Sequence, residues 1–185
     1  MKRVALIVLT LVGVGVFAFL ALREEVPETP IDQIGPETAK VERKVIGESV
    51  QGREIEAYTY GKGETHLMFV GGIHGGYEWN SIVLAYQFMD YLEENPNVIP
   101  ENITVTVIPS ANPDGLYAVI GKEGRFIAAD VPESGSTGLG RFNAHDVDLN
   151  RNFDCKWQPE STWREKVVSA GSSPFSEPET RAIRD

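Results

Sequence analysis

Val70–Asn80 reads VGGIHGGYEWN. A β-branched and apolar run, His66–Val70 with Leu67, Met68 and Phe69, leads into two glycines, a histidine, two more glycines and then Tyr77-Glu78-Trp79. Glycines let a backbone turn sharply and pass close to other groups. The pattern predicts a buried strand whose C-terminal end opens into a glycine-rich loop, followed by a helix. In open α/β sheets, ligands bind in the crevice beyond the strand carboxyl ends. His74 and Glu78 are therefore placed where chemistry is expected. An imidazole with a carboxylate suits a borderline-soft divalent ion, above all zinc. Two ligands alone are too few, because catalytic zinc takes three protein ligands and keeps one position open.

Outward from this stretch the chain alternates strands and helices. Val45–Val50 and Glu54–Tyr60 read as strands around a Gln51-Gly52-Arg53 turn, a β-hairpin. From Trp79 to Glu94, apolar side chains recur at Ile82, Ala85, Tyr86, Met89 and Leu92, a helical stripe. Asn95-Pro96 ends that helix. Asn102–Pro109 (NITVTVIP) is a β-branched strand running into the turn-forming Ser110–Gly115 cluster, which contains NPDG. Strand, helix, strand in this order implies a crossover and a parallel pair. The expected fold class is thus α/β, a mixed, largely parallel sheet flanked by helices. Residues 122–144 read as loop. Ser176 is expected to cap a short helix with Glu179 at its third position.

The 185 residues, 42% hydrophobic, suffice for one domain. Met1-Lys2-Arg3 precedes Val4–Leu22, which carries no charge. As a helix it would be about 28 Å long, close to the roughly 30 Å hydrocarbon core. Residues 1–22 are therefore expected to be a signal anchor, or a signal peptide if cleaved, with the basic end cytoplasmic. The domain would then be membrane-anchored outside the cytoplasm, or secreted. Residues 23–40 carry Pro27, Pro30, Pro36 and five acidic residues, the composition of a flexible linker. The folded domain is expected over residues 41–185. One cysteine, Cys155, excludes an internal disulfide and is expected to be a small buried hydrophobe. A net charge of −10 argues against nucleic acid as a partner.

Asp148-Leu149-Asn150-Arg151-Asn152-Phe153 is the second informative cluster. A guanidinium beside an amide can grip a carboxylate through bidentate, charge-assisted hydrogen bonds. Arg141 adds a positive group suited to a polarised carbonyl.

GGIHGGYEWN, NPDG, RFNAHDVDLNRNFD and PFSEPETRA, in that order, resemble the zinc metallocarboxypeptidase family (carboxypeptidase A-like), and VIGESVQGREIEAYTYG resembles the start of its bacterial members. The resemblance spans Val45–Asp185. It implies an eight-stranded mixed sheet with Zn2+ at the strand ends, held by His74 and Glu78. By the same resemblance Arg141 steadies the scissile carbonyl, and Asn150 and Arg151 hold the free C-terminal carboxylate of a peptide substrate. NPDG shapes the loop beside the site. The family usually has two residues between its histidine and glutamate ligands, whereas three intervene here. Its third ligand, a histidine, and its catalytic glutamate fall downstream of the SEPET segment, past Asp185. His66 and His145 do not match either position; His66 begins a strand and His145 falls on a loop. The expectation is a carboxypeptidase acting on peptides or cell-wall peptides, incomplete in this chain and inactive alone. The alternatives are a zinc-dependent amide deacylase of the same fold, or a catalytically inactive peptide-binding module.

Overall fold

The computed structural model describes residues 41–132 and 138–185. The expected signal segment and linker lie outside these residues. Among the described residues no helix is long and apolar enough to cross a membrane.

A four-stranded sheet carries the molecule. Its strands are β1 (Glu42–Glu48), β2 (Glu54–Gly61), β3 (Thr65–Val70) and β4 (Ile103–Ile108), in the order β1-β2-β4-β3. The first two form the expected hairpin, with Glu42 opposite Thr59 and Glu48 opposite Glu54. Strand β2 also pairs antiparallel with β4, and β3 pairs parallel with β4, from Thr65 opposite Ile103 to Val70 opposite Ile108. The sheet is mixed, and its parallel part is the crossover pair around the glycine-rich loop.

That crossover is α1 (Trp79–Glu94), whose buried residues are Ile82, Ala85, Tyr86, Met89 and Leu92, the stripe read from the sequence. They pack on Tyr60, Val105 and Val107 from one face of the sheet. Each such large apolar side chain contributes roughly 1.5–3 kcal/mol by leaving water. On the opposite face a smaller cluster joins Ile55, Ala57 and Ile108 to Ala182 of α3 (Pro178–Arg184). Close approach of that helix depends on Gly47, where an added Cβ would lie 2.7 Å from the Ala182 Cβ.

Four expectations change. Strand β3 is not buried: Thr65 to Met68 are exposed and only Phe69 and Val70 are half-buried, because among the described strands β3 lies at the edge of the sheet. The NPDG cluster is not only a turn: it opens α2 (Pro113–Ile120), with Asn112 as N-cap accepting from the Gly115 amide at 2.8 Å and Pro113 at the first position. Ser176 does not cap α3. Glu177 occupies the cap position, and the Ser176 hydroxyl donates to its carboxylate at 2.7 Å instead. Cys155 is exposed rather than buried, because Asp154–Lys156 lie on a surface turn. A second, two-stranded sheet, β5 (Glu160–Trp163) with β6 (Lys166–Ser169), lies in a region that gave no strand signal.

Candidate active site

The loop after β3 continues the sheet's hydrogen bonding before it departs. The Gly71 amide donates to Ile108 O at 2.8 Å, and the Ala111 and Asn112 amides donate back to Gly71 O and Gly72 O. A single 3-10 turn, Gly75–Glu78, then carries the chain into α1. Gly75 makes it possible: its φ is +44°, and a Cβ there would sit 2.7 Å from Gly115 C and from Gly140 O. With backbone that close on two sides, no other residue fits without displacing the loop.

The turn absorbs the extra residue between His74 and Glu78. His74 Nδ1 lies 2.7 Å from Glu78 Oε1, and His74 Nε2 lies 3.0 Å from Asp148 Oδ1. The other Asp148 oxygen accepts from Arg141 at 2.7 Å. Asp148, with no exposed surface, is the hub of the site, between a histidine 5% exposed and an arginine 4% exposed. Burial alone would raise its carboxyl pKa. The hydrogen bonds from His74 and Arg141 outweigh that effect and hold it below the usual range. An ionised carboxylate only accepts, so Nε2 donates to Asp148, and Nδ1 is the ring nitrogen that faces Glu78. Two electron-rich groups at 2.7 Å require a proton or a cation between them.

Asp148 also fixes the Asn150-Arg151 segment. Its side chain accepts from the Asn150 amide at 3.2 Å, and its carbonyl accepts from the Arg151 amide at 2.8 Å, closing a 3-10 turn over Leu149–Arg151. Arg151 Nε donates to Ser161 Oγ on β5 at 3.1 Å. Asn150 and Arg151 border an open cavity of about 440 Å3 shared with Lys156, Trp157 and Glu160. Sequence reasoning placed Asp148 in the cluster without a role. The available signal was an aspartate two residues before an exposed amide, the spacing of a side chain that caps its own turn.

Arg141 is packed as well as paired. Its guanidinium lies 4.5 Å from the Trp163 ring centroid and 5.5 Å from that of Tyr77. Its Nε–H is buried and has no acceptor among the described residues. Phe142, whose carbonyl accepts from Asn112 at 3.1 Å, ties this segment to the start of α2. His66 is the second residue of β3, at the strand's start as expected. His145 lies on a loop, where its Nδ1 meets the buried Glu177 carboxylate at 2.7 Å.

A profile of the zinc carboxypeptidase family matches residues 32–185. The chain belongs to the zinc carboxypeptidase family. Over 158 residues it is 31% identical to carboxypeptidase B of Astacus astacus, covering 81% of this chain and 50% of that protein. Over 161 residues it is 32% identical to bacteriocin BCN5 of Clostridium perfringens, covering 85% of this chain and 16% of that protein. It is also 25% identical over 162 residues to gamma-D-glutamyl-L-diamino acid endopeptidase 1 of Lysinibacillus sphaericus, covering 76% of this chain and 40% of that protein. The chain thus spans half or less of the length of these relatives. The same fold occurs in bovine thrombin-activatable fibrinolysis inhibitor in complex with tick carboxypeptidase inhibitor, at TM-score 0.58 and 22% identity over 78% of this chain and 48% of that one. It also occurs in carboxypeptidase A from Helicoverpa armigera, at TM-score 0.53 and 24% identity over 80% of this chain and 37% of that one.

Members of this zinc carboxypeptidase family are zinc-dependent hydrolases that bind peptides. The donor pair found here fits half of such a metal centre. A ring nitrogen and a carboxylate already face each other, and a buried carboxylate orients the imidazole from behind, as outer-shell carboxylates do for metal-binding histidines. Among the described residues no group of three or more histidine, cysteine or carboxylate side chains is placed to hold a metal.

Proposed function

We propose that the chain is part of a zinc-dependent metallocarboxypeptidase that removes C-terminal residues from peptides, cell-wall peptides included. We further propose that it works outside the cytoplasm, held by residues 4–22 or secreted. One observation carries the reading: a single buried carboxylate, Asp148, holds the His74 imidazole against Glu78, holds Arg141, and fixes the turn that presents Asn150 and Arg151. Metal donors, a carbonyl-directed cation and a carboxylate grip therefore share one rigid support.

In this reading His74 and Glu78 hold Zn2+, which when bound supplies Lewis-acid polarisation of the scissile carbonyl. Arg141 offers its unpartnered Nε–H to the same oxygen, and preorganisation by Asp148 and Trp163 removes the cost of orienting it during reaction. Asn150 and Arg151 bind the free carboxylate and so select chain ends. Their solvent-facing cavity accommodates the residue to be released. The described residues supply neither a third metal ligand nor a general base beside the donor pair, so turnover by these residues alone is not expected.

The endopeptidase relative favours a second reading, an amidase acting on γ-linked or acylated amino acids. A third is a peptide-binding module without turnover, favoured by the lack, among the described residues, of any group of three side chains placed to hold a metal. One experiment separates them. The full chain, with and without added zinc, is offered peptides with free or amidated C-termini, γ-glutamyl peptides and N-acyl amino acids. Chelator-sensitive release of single C-terminal residues supports the carboxypeptidase; cleavage confined to γ-linked or acylated substrates supports the amidase. Carboxylate-dependent binding that ignores chelator and never turns over supports the module. Binding indifferent to the free carboxylate would overturn the assignment of Arg151.

A further inference from the structure

Most of the described arginines are neutralised by carboxylates. Arg43 pairs with Glu54 and Glu56, Arg53 with Asp114 and Glu123, Arg125 with Asp90, Arg141 with Asp148, and Arg184 with Asp185. Arg181 is engaged by the Phe175 and Ser176 carbonyls. Among the described residues that leaves three arginines without a carboxylate partner, Arg181, held by those carbonyls, and Arg151 and Arg164, in a chain with 27 acidic and 17 basic residues. Arg151 is already assigned to a ligand carboxylate. The same question applies to Arg164.

Arg164 is exposed but not loose. It sits in the turn joining β5 to β6, donates to the Tyr77 hydroxyl at 3.0 Å, and lies 5.1 Å from the Trp163 ring centroid and 5.8 Å from that of Tyr77. Tyr77 and Trp163 meet edge to face at 5.6 Å, and Phe142 meets Trp163 the same way at 5.8 Å. Both Arg141 and Arg164 stack on the same indole. Tyr77 is also the residue before Glu78. The aromatic wall therefore joins the donor pair, the carbonyl-directed cation and the hairpin tip. Stacking leaves a guanidinium's in-plane N–H groups open to a ligand while restricting its rotamers.

Strand β5 sets the distance along this wall. Arg151 is hydrogen-bonded to Ser161, and the strand ends two residues later at Trp163, roughly 7 Å further at about 3.3 Å per residue, with Arg164 next in the turn. An extended peptide whose terminal carboxylate sits on Arg151 would present its preceding residue along the wall toward Arg164. We propose that the β5–β6 hairpin tip is a specificity subsite, in which Arg164, held over Trp163 and Tyr77, binds a second carboxylate on the residue before the cleaved bond. The preferred ligands are peptides with an acidic penultimate residue. This rests on the assignment of Arg151 to the terminal carboxylate.

The test measures binding rather than turnover. Affinities of the full chain in zinc-containing buffer are determined for matched peptides with glutamate, glutamine or lysine before the last residue, each with a free and an amidated C-terminus. An exposed charge pair corresponds to about a two- to fivefold preference for glutamate over glutamine, shrinking with salt. Arg164→Gln should abolish that preference and leave the glutamine peptide's affinity unchanged, and Arg164→Lys should restore most of it. A glutamate preference that persists in Arg164→Gln, or is absent in the parent while the free C-terminus still matters, overturns the subsite alone. Loss of any dependence on the free C-terminus, or failure of every peptide to bind, overturns the Arg151 assignment and the subsite with it.

Discussion

Asp148 is the residue on which the site depends most. Its carboxylate serves an imidazole, a guanidinium and a backbone amide at once, and it is fully buried. Removing one partner of a buried ion pair strands the other charge, which costs about 3–5 kcal/mol. Asp148→Asn should therefore lower unfolding free energy by about that amount in urea titrations. If His74 and Glu78 hold zinc, it should also weaken zinc uptake by about 10–100-fold. Asn150→Ala, on the rim, should leave stability within about 0.5 kcal/mol. A second buried carboxylate gives a pH prediction. Burial would raise the Glu177 pKa, but hydrogen bonds from Asn143, Ser176 and His145 overcome it and hold the group below its ordinary 4.5. A depressed folded-state pKa contributes stability that is complete above the unfolded value and is lost as pH falls through the folded one. Melting temperature should thus fall steeply between pH 5 and lower values. Glu177→Gln should flatten that acid limb while lowering stability at pH 7. An unchanged acid limb in this variant would place the acid-sensitive groups elsewhere.

At the scale of elements, the Gly75–Glu78 turn decides whether the donor pair forms. Gly75→Ala must adopt positive φ and push against Gly115 and Gly140 backbone, with strain on the order of 1–3 kcal/mol. The expected result is a drop of that size in urea stability, together with loss of the His74–Glu78 contact, read from the His74 ring resonances in NMR spectra. Gly121→Ala, also at positive φ but with open space around its Cβ, should destabilise less and leave those resonances in place. What was legible in the sequence follows from the size of each signal. Helix α1 was readable because five large or aliphatic residues, Ile82 to Leu92, repeat at helical spacing over about three turns. β4 was readable because its residues are β-branched. Helix α2 was hidden because Asn-Pro-Asp-Gly carries turn propensity and N-cap propensity alike, and only tertiary partners choose. Asp114 makes that choice by accepting from Ser49, Gln51 and Arg53. The β5–β6 hairpin was invisible because its turn residues, Arg164 and Glu165, hold φ of +46° and +64° without glycine or asparagine to advertise it. Its fixed partners, Tyr77 and Arg141, come from distant parts of the chain. The hub role of Asp148 escaped for the same reason, since His74 lies 74 residues away.

For the whole molecule the consequence lies at the edge of the sheet. Among the described strands β3 ends the order, paired with β4 on one side only. Leu67 is 53% exposed and Met68 57% exposed. Parallel strands near a catalytic crevice are ordinarily covered on both faces and flanked on both sides, because an unpaired strand offers its amides and carbonyls to any other chain. Four of the six β3 residues are exposed along that edge, and none of them is the lysine or proline that blunts natural edges. The 185-residue chain should therefore self-associate in a concentration-dependent way through β3. Replacing the two exposed apolar residues by lysine (Leu67→Lys, Met68→Lys) adds like charges directly beside a would-be partner strand, so association should fall at low salt and partly return at high salt, where repulsion is screened. Static light scattering across a concentration series reads this, with far-ultraviolet circular dichroism showing that the sheet is intact. The same pair of substitutions at Leu84 and Tyr91, exposed on α1 and away from the edge, should leave association unchanged. If those helix substitutions disperse the chain and the β3 substitutions do not, the association surface is the helix and the β3 edge is protected by other means.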